Sequence, residues 1–124
     1  MATEFPRGLH PEERATLLAL LNHADFEGRD ALLEQASSAI ADSRCRCGCA
    51  TIGFDIDPRA PSAGRSYRPI PNQAEVFDDE GEIIGGEIVF VTDGYLSSLE
   101  IFFYDAEPIL EFPPLDRLRL YTRE

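Results

Sequence analysis

The chain has 124 residues, a length typical of one globular domain, and 44% of them are hydrophobic, enough to bury a core. With 23 acidic and 11 basic residues, it carries a formal net charge of −12 at pH 7. That charge excludes nucleic acids and anionic membranes as direct partners, because both bind basic surfaces. It favours a basic protein partner, with solubility as the alternative explanation of the acidic composition.

The first residues, MATEFPRGLHPEER, contain no apolar run, and no segment approaches the ~20 apolar residues that span a bilayer. We therefore expect a cytoplasmic protein with no signal peptide and no association with membranes. Thiols stay reduced in the cytoplasm, so the three cysteines are not expected to form a disulfide framework.

Two amphipathic segments predict an antiparallel helical hairpin over residues 10–42, with Gly28 separating the helices. Pro11 suits the first position of a helix, where its missing N–H costs nothing. The predicted buried faces are Leu17, Leu18, Leu21 and Ala24 in the first helix, and Leu32, Leu33, Ala36 and Ile40 in the second.

The hydrophobic period changes to two after Ser43, which predicts β-structure over residues 45–121. Alternating apolar residues from 52 to 56 indicate a half-buried strand. The segment 57–72 that follows is rich in proline and arginine and is predicted to be a loop. Long ordered loops often carry function, so this loop is of interest.

Turn signals at residues 79–81 and at Asp93-Gly94 predict that the second half continues as a meander of antiparallel strands. Residues 117–121, RLRLY, predict either a short edge strand or a helical turn. The predicted fold is therefore a single α+β domain. Its helical hairpin packs on an antiparallel sheet of four to five strands.

The segment RCRCGCA holds all three cysteines at alternate positions, as Cys45, Cys47 and Cys49. Cysteine behaves as a small hydrophobic residue, so the favoured interpretation is packing on one face of a strand. The alternative is zinc bound by the three thiolates, with His23, His10 or an acid as fourth ligand, and we take His23 as the candidate. A reactive thiol is the third interpretation, since flanking arginines lower a thiol pKa. No cofactor other than zinc is expected.

The stretch from Pro69 to Asp116 contains twelve acids and no lysine or arginine, so the second half presents an acidic surface. Four of these acids crowd one turn, and Glu100 shares a strand face with aromatic residues. A solvated turn, and rings covered by the C-terminal tail, are the structural alternatives to an interface. The residues predicted to contact a partner are Asp78, Asp79, Glu80, Glu82, Tyr95, Glu100 and Tyr104.

Two segments resemble a group of small bacterial proteins: CRCGC at 45–49, preceded by Arg44, and DGYLSSLEIFFYD at 93–105, followed by EFPP. In that group a cysteine-rich strand start precedes a D-G-x-L-S-x-L-E hairpin. The resemblance covers the C-terminal two-thirds of the chain and implies no particular chemistry. In size and charge the chain is also similar to the immunity partners of bacterial toxins, which cover the active site of a basic nuclease or similar toxin.

The sequence contains no nucleophile elbow, phosphate-binding loop, dinucleotide-binding motif or H-E-x-x-H motif, which disfavours an enzyme of ordinary type. We therefore expect a non-catalytic acidic binding protein of the immunity or inhibitor type. The alternative is a metal- or thiol-dependent protein centred on the three cysteines.

Overall fold

A computed structural model describes residues 5–45, 49–104 and 109–123. The described part is an α+β structure with two helices and one antiparallel sheet, which confirms the predicted class. In chain order its elements are β1 (Arg7–Gly8), α1 (Pro11–Asn22), α2 (Arg29–Ala36), β2 (Ile40–Arg44), β3 (Ile52–Asp55), β4 (Asn72–Phe77), β5 (Ile83–Thr92), β6 (Tyr95–Phe103), a 3₁₀ turn (Leu115–Arg117) and β7 (Leu118–Thr122).

The seven strands of the described part lie in the order β1-β2-β3-β6-β5-β4-β7. β6 is therefore central, between β3 and β5. α1 packs on β4 and β5, and α2 packs on α1 and β6. The helices thus cover one face of the sheet, the helix face. The opposite side is called the open face.

The strand register decides which side chains are buried beneath the helices. Leu99 of β6 lies opposite Ile52 of β3 and Val89 of β5, and all three are buried on the helix face. Successive residues of a strand point to opposite sides, so Glu100 and Phe102 of β6 belong to the open face. Phe102 there lies opposite Gly86 of β5.

α1 begins at Pro11, as predicted, and its first turn is fixed by an acidic side chain. Glu13 accepts a hydrogen bond from the His10 backbone N–H at 2.8 Å, and its carboxylate also accepts two bonds from Arg7 of β1. Further along, the buried face is Leu17, Leu20 and Leu21. Leu18 and Ala24, which were predicted to be buried, remain partly exposed.

The helical hairpin is shorter than predicted, because α2 ends at Ala36 and residues 40–44 form β2. Ile40 continues the four-residue spacing of α2, so the pattern alone indicated a longer helix. Residues 40–44 form a strand instead of extending α2, because the strand pairs with β1 on one side and β3 on the other. This pairing also buries Ala41 opposite Phe54. The prediction of four to five strands was therefore wrong. β2 was interpreted as helix, and β1 has only two residues and no periodic signal.

Two predicted connections have the expected geometry. Asp93 and Gly94 join β5 to β6 with φ angles of 53° and 90°, the left-handed pair of a type I′ turn. The segment between β3 and β4 is a loop, as predicted, and it is held in place by side chains. Gln35 of α2 donates to Pro61 O at 2.8 Å, and the Tyr67 hydroxyl donates to Glu27 O at 2.6 Å.

Candidate protein-binding site

The four clustered acids lie on the turn that joins β4 to β5. Asp78 Oδ1 accepts hydrogen bonds from the backbone N–H groups of Glu80 and Glu82, both at 2.9 Å, so this side chain shapes the turn. Asp79 pairs with Arg117 of the 3₁₀ turn. Glu80 and Glu82 are exposed and make no side-chain hydrogen bond or ion pair within the described residues. Both carboxylates are therefore accessible to a partner.

Two aromatic side chains are exposed near the end of β6. Phe102 is 37% exposed and Tyr104 is 64% exposed, and their rings meet edge to face with centroids 5.8 Å apart. The alternative in which the C-terminal tail covers these rings does not hold for β7, which pairs with β4 at the far edge of the sheet. Large exposed aromatic side chains are uncommon on a surface without a binding role.

Phe102 is held in place by its neighbour on β5. Its ring lies over Gly86, where an added Cβ would stand only 2.4 Å from Phe102 Cζ. The absence of a side chain at Gly86 therefore makes a seat for the ring, and any larger residue would push the ring out of it.

The turn and the aromatic pair lie at the same end of the sheet. The Tyr104 backbone N–H donates to Ile84 O at 3.0 Å, and Glu82 stands two residues beyond Ile84, roughly 7 Å along the strand. Ile83, beside them, is 43% exposed. We name this surface the acidic–aromatic patch; it consists of Asp78, Glu80, Glu82, Ile83, Phe102 and Tyr104.

Glu100 and Tyr95 occupy different surroundings. Glu100 is on the open face two residues before Phe102, and its Oε2 accepts a hydrogen bond from Ser98 Oγ at 2.9 Å. Tyr95 lies at the other end of β6, where its hydroxyl donates to Ala60 O at 3.1 Å. The structure therefore brings Glu100 close to the patch and places Tyr95 against the β3–β4 loop.

The acidic surface is not free of cations in three dimensions, although residues 69–116 lack lysine and arginine. The edge strand β7 and the turn before it place two arginines beside this surface. Arg117 pairs with Asp79, and Arg119 pairs with Glu75. These ion pairs could not be predicted from the sequence, because β7 comes to lie beside β4 only in the folded sheet. Within the described residues, Asp78, Glu80 and Glu82 of the same turn have no ion pair.

Cys45 and Cys49 both lie outside the strands. Cys45 follows β2 and donates its backbone N–H to Thr51 O at 3.0 Å, while Cys49 precedes β3. For these two residues the interpretation of an alternating strand face is therefore wrong. Cys47 lies outside the described residues. Cys45 and Cys49 both line an open-face groove of about 590 Å³, together with Glu100 and Phe102.

The structure separates His23 from the cysteines. His23 directly follows the last residue of α1 and precedes Ala24, whose carbonyl accepts a hydrogen bond from Asn72 of β4. Three strand spacings separate β4 from β3, or roughly 14 Å. Among the described residues, no group of three or more His, Cys, Asp or Glu side chains is arranged to hold a metal ion. Zinc at the cysteines remains a hypothesis.

Glu87 is an unusual residue that the sequence analysis did not single out. It lies on the helix face of β5, in phase with the buried Val89 and Val91. Burial raises the pKa of its carboxyl group to about 8. The alternation of Glu87, Val89 and Val91 was a usable signal, because a glutamate in phase with two core valines is predicted to be buried.

The helices of the described part are all too short or too polar to cross a bilayer. Comparison of the chain with protein-family models, with curated proteins and with solved structures finds no match.

Proposed function

We propose that this chain is a non-catalytic acidic binding protein that covers a basic surface of a protein partner, as immunity and inhibitor proteins do. The observation that carries the proposal is the acidic–aromatic patch. There, two exposed rings stand beside carboxylates that have no paired cation within the described residues.

The patch combines the two components of a protein interface. Aromatic rings supply most of the binding free energy at interface centres, since they bury a large area with few rotatable bonds. The surrounding carboxylates select a basic partner and accelerate its approach through long-range attraction, strengthened by the net charge of −12. A second copy of this acidic chain would be repelled, so a basic partner is favoured over self-association.

The test is capture of partners at low ionic strength, where the Debye length exceeds roughly 10 Å. The immobilised chain is compared with a Glu80→Lys/Glu82→Lys variant and with a control, Glu12→Lys/Glu34→Lys, which changes the net charge equally at exposed helix positions. We expect a basic protein to bind the wild type and the control, and to be lost from the patch variant. Equal capture by all three chains would contradict the proposal.

The cysteine groove supports a second candidate function, a thiol- or zinc-dependent one. Its supporting observation is that Cys45 and Cys49 line the same open-face groove beside Glu100. Metal content and a thiol count on protein purified under reducing conditions without chelator test this candidate. One equivalent of zinc with slowly reacting thiols would favour zinc binding, whereas no metal and three slowly reacting thiols would count against this candidate.

A further inference from the structure

Glu87 is buried in the layer between α1 and the sheet. It lies opposite Ala74 of β4 and Ile101 of β6, and its side chain is 0% exposed. Within the described residues neither of its carboxyl oxygens has a hydrogen-bond partner. An ionised carboxylate in such a position is among the costliest groups to bury, while a neutral carboxylic acid costs far less.

The elements packed against β5 offer Glu87 no counter-charge. β4 and β6 contribute no ionisable side chain to the helix face. On α1, Glu13 already accepts hydrogen bonds from Arg7, and Arg14 donates to the carbonyl oxygen of Ala36, the last residue of α2. The other buried polar group of α1 is Thr16, whose hydroxyl also lacks a partner within the described residues.

We infer that the folded protein keeps Glu87 as a neutral carboxylic acid between α1 and the sheet, and that loss of this proton releases α1 from β4 and β5. The proton passes to solvent, and the carboxylate that remains requires hydration, which the closed layer does not provide. This device does not depend on the proposed partner binding.

The direction of the pH effect follows from proton binding in the two states. Burial raises the pKa of Glu87 from 4.5 to about 8. Between these values the closed state holds the proton and the opened state does not, so rising pH favours opening by about tenfold per pH unit. Above about pH 8 both states are ionised, and the equilibrium for opening no longer changes with pH.

Amide hydrogen exchange followed by NMR tests this inference on the full chain and on Glu87→Gln. Protection factors are calculated against intrinsic rates, which removes the base catalysis of exchange itself. We expect α1 amides of the wild type to lose protection by about tenfold per pH unit between about pH 5.5 and 7.5 relative to the variant. Both histidines are present in both proteins, so their titration cancels in this ratio.

Amides of the β2–β3 ladder serve as an internal reference, because neither strand is a principal contact of α1. Lower protection in α1 than in this ladder, together with the loss as pH rises, supports release of α1 from a sheet that stays folded. Equal protection of α1 and the ladder at every pH, or a ratio to Glu87→Gln that does not change with pH, overturns the inference. If the variant fails to fold, the ¹³C shift of the wild-type Glu87 carboxyl decides. A neutral group at pH 7 supports the inference, and an ionised group overturns it.

Discussion

The two ends of the sheet differ in how their polar groups are used. At the Gly94 end, buried side chains tie loops and helices together. Gln35 alone bonds Pro61 O, Gly94 O and the Leu96 N–H. At the other end, the acidic–aromatic patch exposes two rings and carboxylates without paired cations in the described part of the chain.

This difference separates polar residues that build the fold from those available for binding. The long β3–β4 loop was expected to be of functional interest, yet its contacts with Glu27, Gln35 and Tyr95 are those of a structural element. In the patch, Asp78 shapes the turn, but the side chains of Glu80, Glu82 and Tyr104 make no such contacts with the described residues. Substitutions at these three positions should therefore change binding without changing stability. Substitutions at the Gly94 end should do the reverse, and four predictions test that contrast.

Gln35→Leu should have the largest effect, a loss of about 3 kcal/mol in the free energy of unfolding. The leucine fits the buried site but leaves the Leu96 N–H and Pro61 O without their partner, and the Leu96 N–H is buried. Urea denaturation measures the change. Glu34→Leu, at the exposed neighbouring position of α2, should stay within about 0.5 kcal/mol of the wild type. A similar change in unfolding free energy for both variants would show that the hydrogen bonds of Gln35 do not stabilise the fold.

Asn72→Ala should cost about 2 kcal/mol of unfolding free energy. The Asn72 side-chain amide donates to Leu20 O and Ala24 O, and so satisfies carbonyls at the C-terminal end of α1. Asn72→Asp should be at least as harmful at pH 7, because a carboxylate cannot donate to those carbonyls. Thermal unfolding of the wild type and the two variants measures these changes. An aspartate variant as stable as the wild type would show that the Asn72 amide does not stabilise the end of α1.

Tyr104→Ala should weaken partner binding by about tenfold or more and leave stability nearly unchanged. The ring is 64% exposed, so its removal leaves no cavity in the core. Leu110→Ala is the matched control, since Leu110 is 57% exposed but lies by the N-terminal end of α1. Calorimetric titration with the captured partner compares them. An equal loss of affinity in both variants would show that Tyr104 contributes no more to binding than an exposed residue outside the patch.

Glu82→Gln should have the smallest effect, a fall in affinity of a few-fold that shrinks as salt is added. A single exposed charge contributes at most about 1 kcal/mol, and salt screens that contribution. Glu12→Gln, which removes an exposed charge far along the chain, provides the comparison. The association rate is the most sensitive readout. A fall that persists unchanged at high salt would show that Glu82 acts through direct packing instead.

The sequence predicted the elements whose signals are local. Pro11 with the following leucines marked α1, and Asp93-Gly94 marked the hairpin, because each depends on neighbouring residues alone. β2 was missed since its stability comes from pairing with two distant segments, β1 and β3. The bond from the Cys45 backbone N–H to Thr51 O extends that same pairing of β2 with β3.

The candidate site was predicted in part for the same reason. The acids at 78–82 were visible as a cluster, and Phe102 and Tyr104 could be placed on one strand face from their spacing. The ion pairs of Arg117 and Arg119 arise from the position of β7 beside β4, which no local pattern encodes.

The seat that Gly86 makes for Phe102 has a consequence for the speed and selectivity of recognition. The ring already lies over Gly86 in the folded chain, so in the proposed binding less side-chain freedom would be lost on association. A preformed surface of this kind would favour partners whose cleft matches the ring. A larger residue at position 86 would displace the ring, and we expect it to make the proposed binding slower and less selective while every other side chain of the patch is kept.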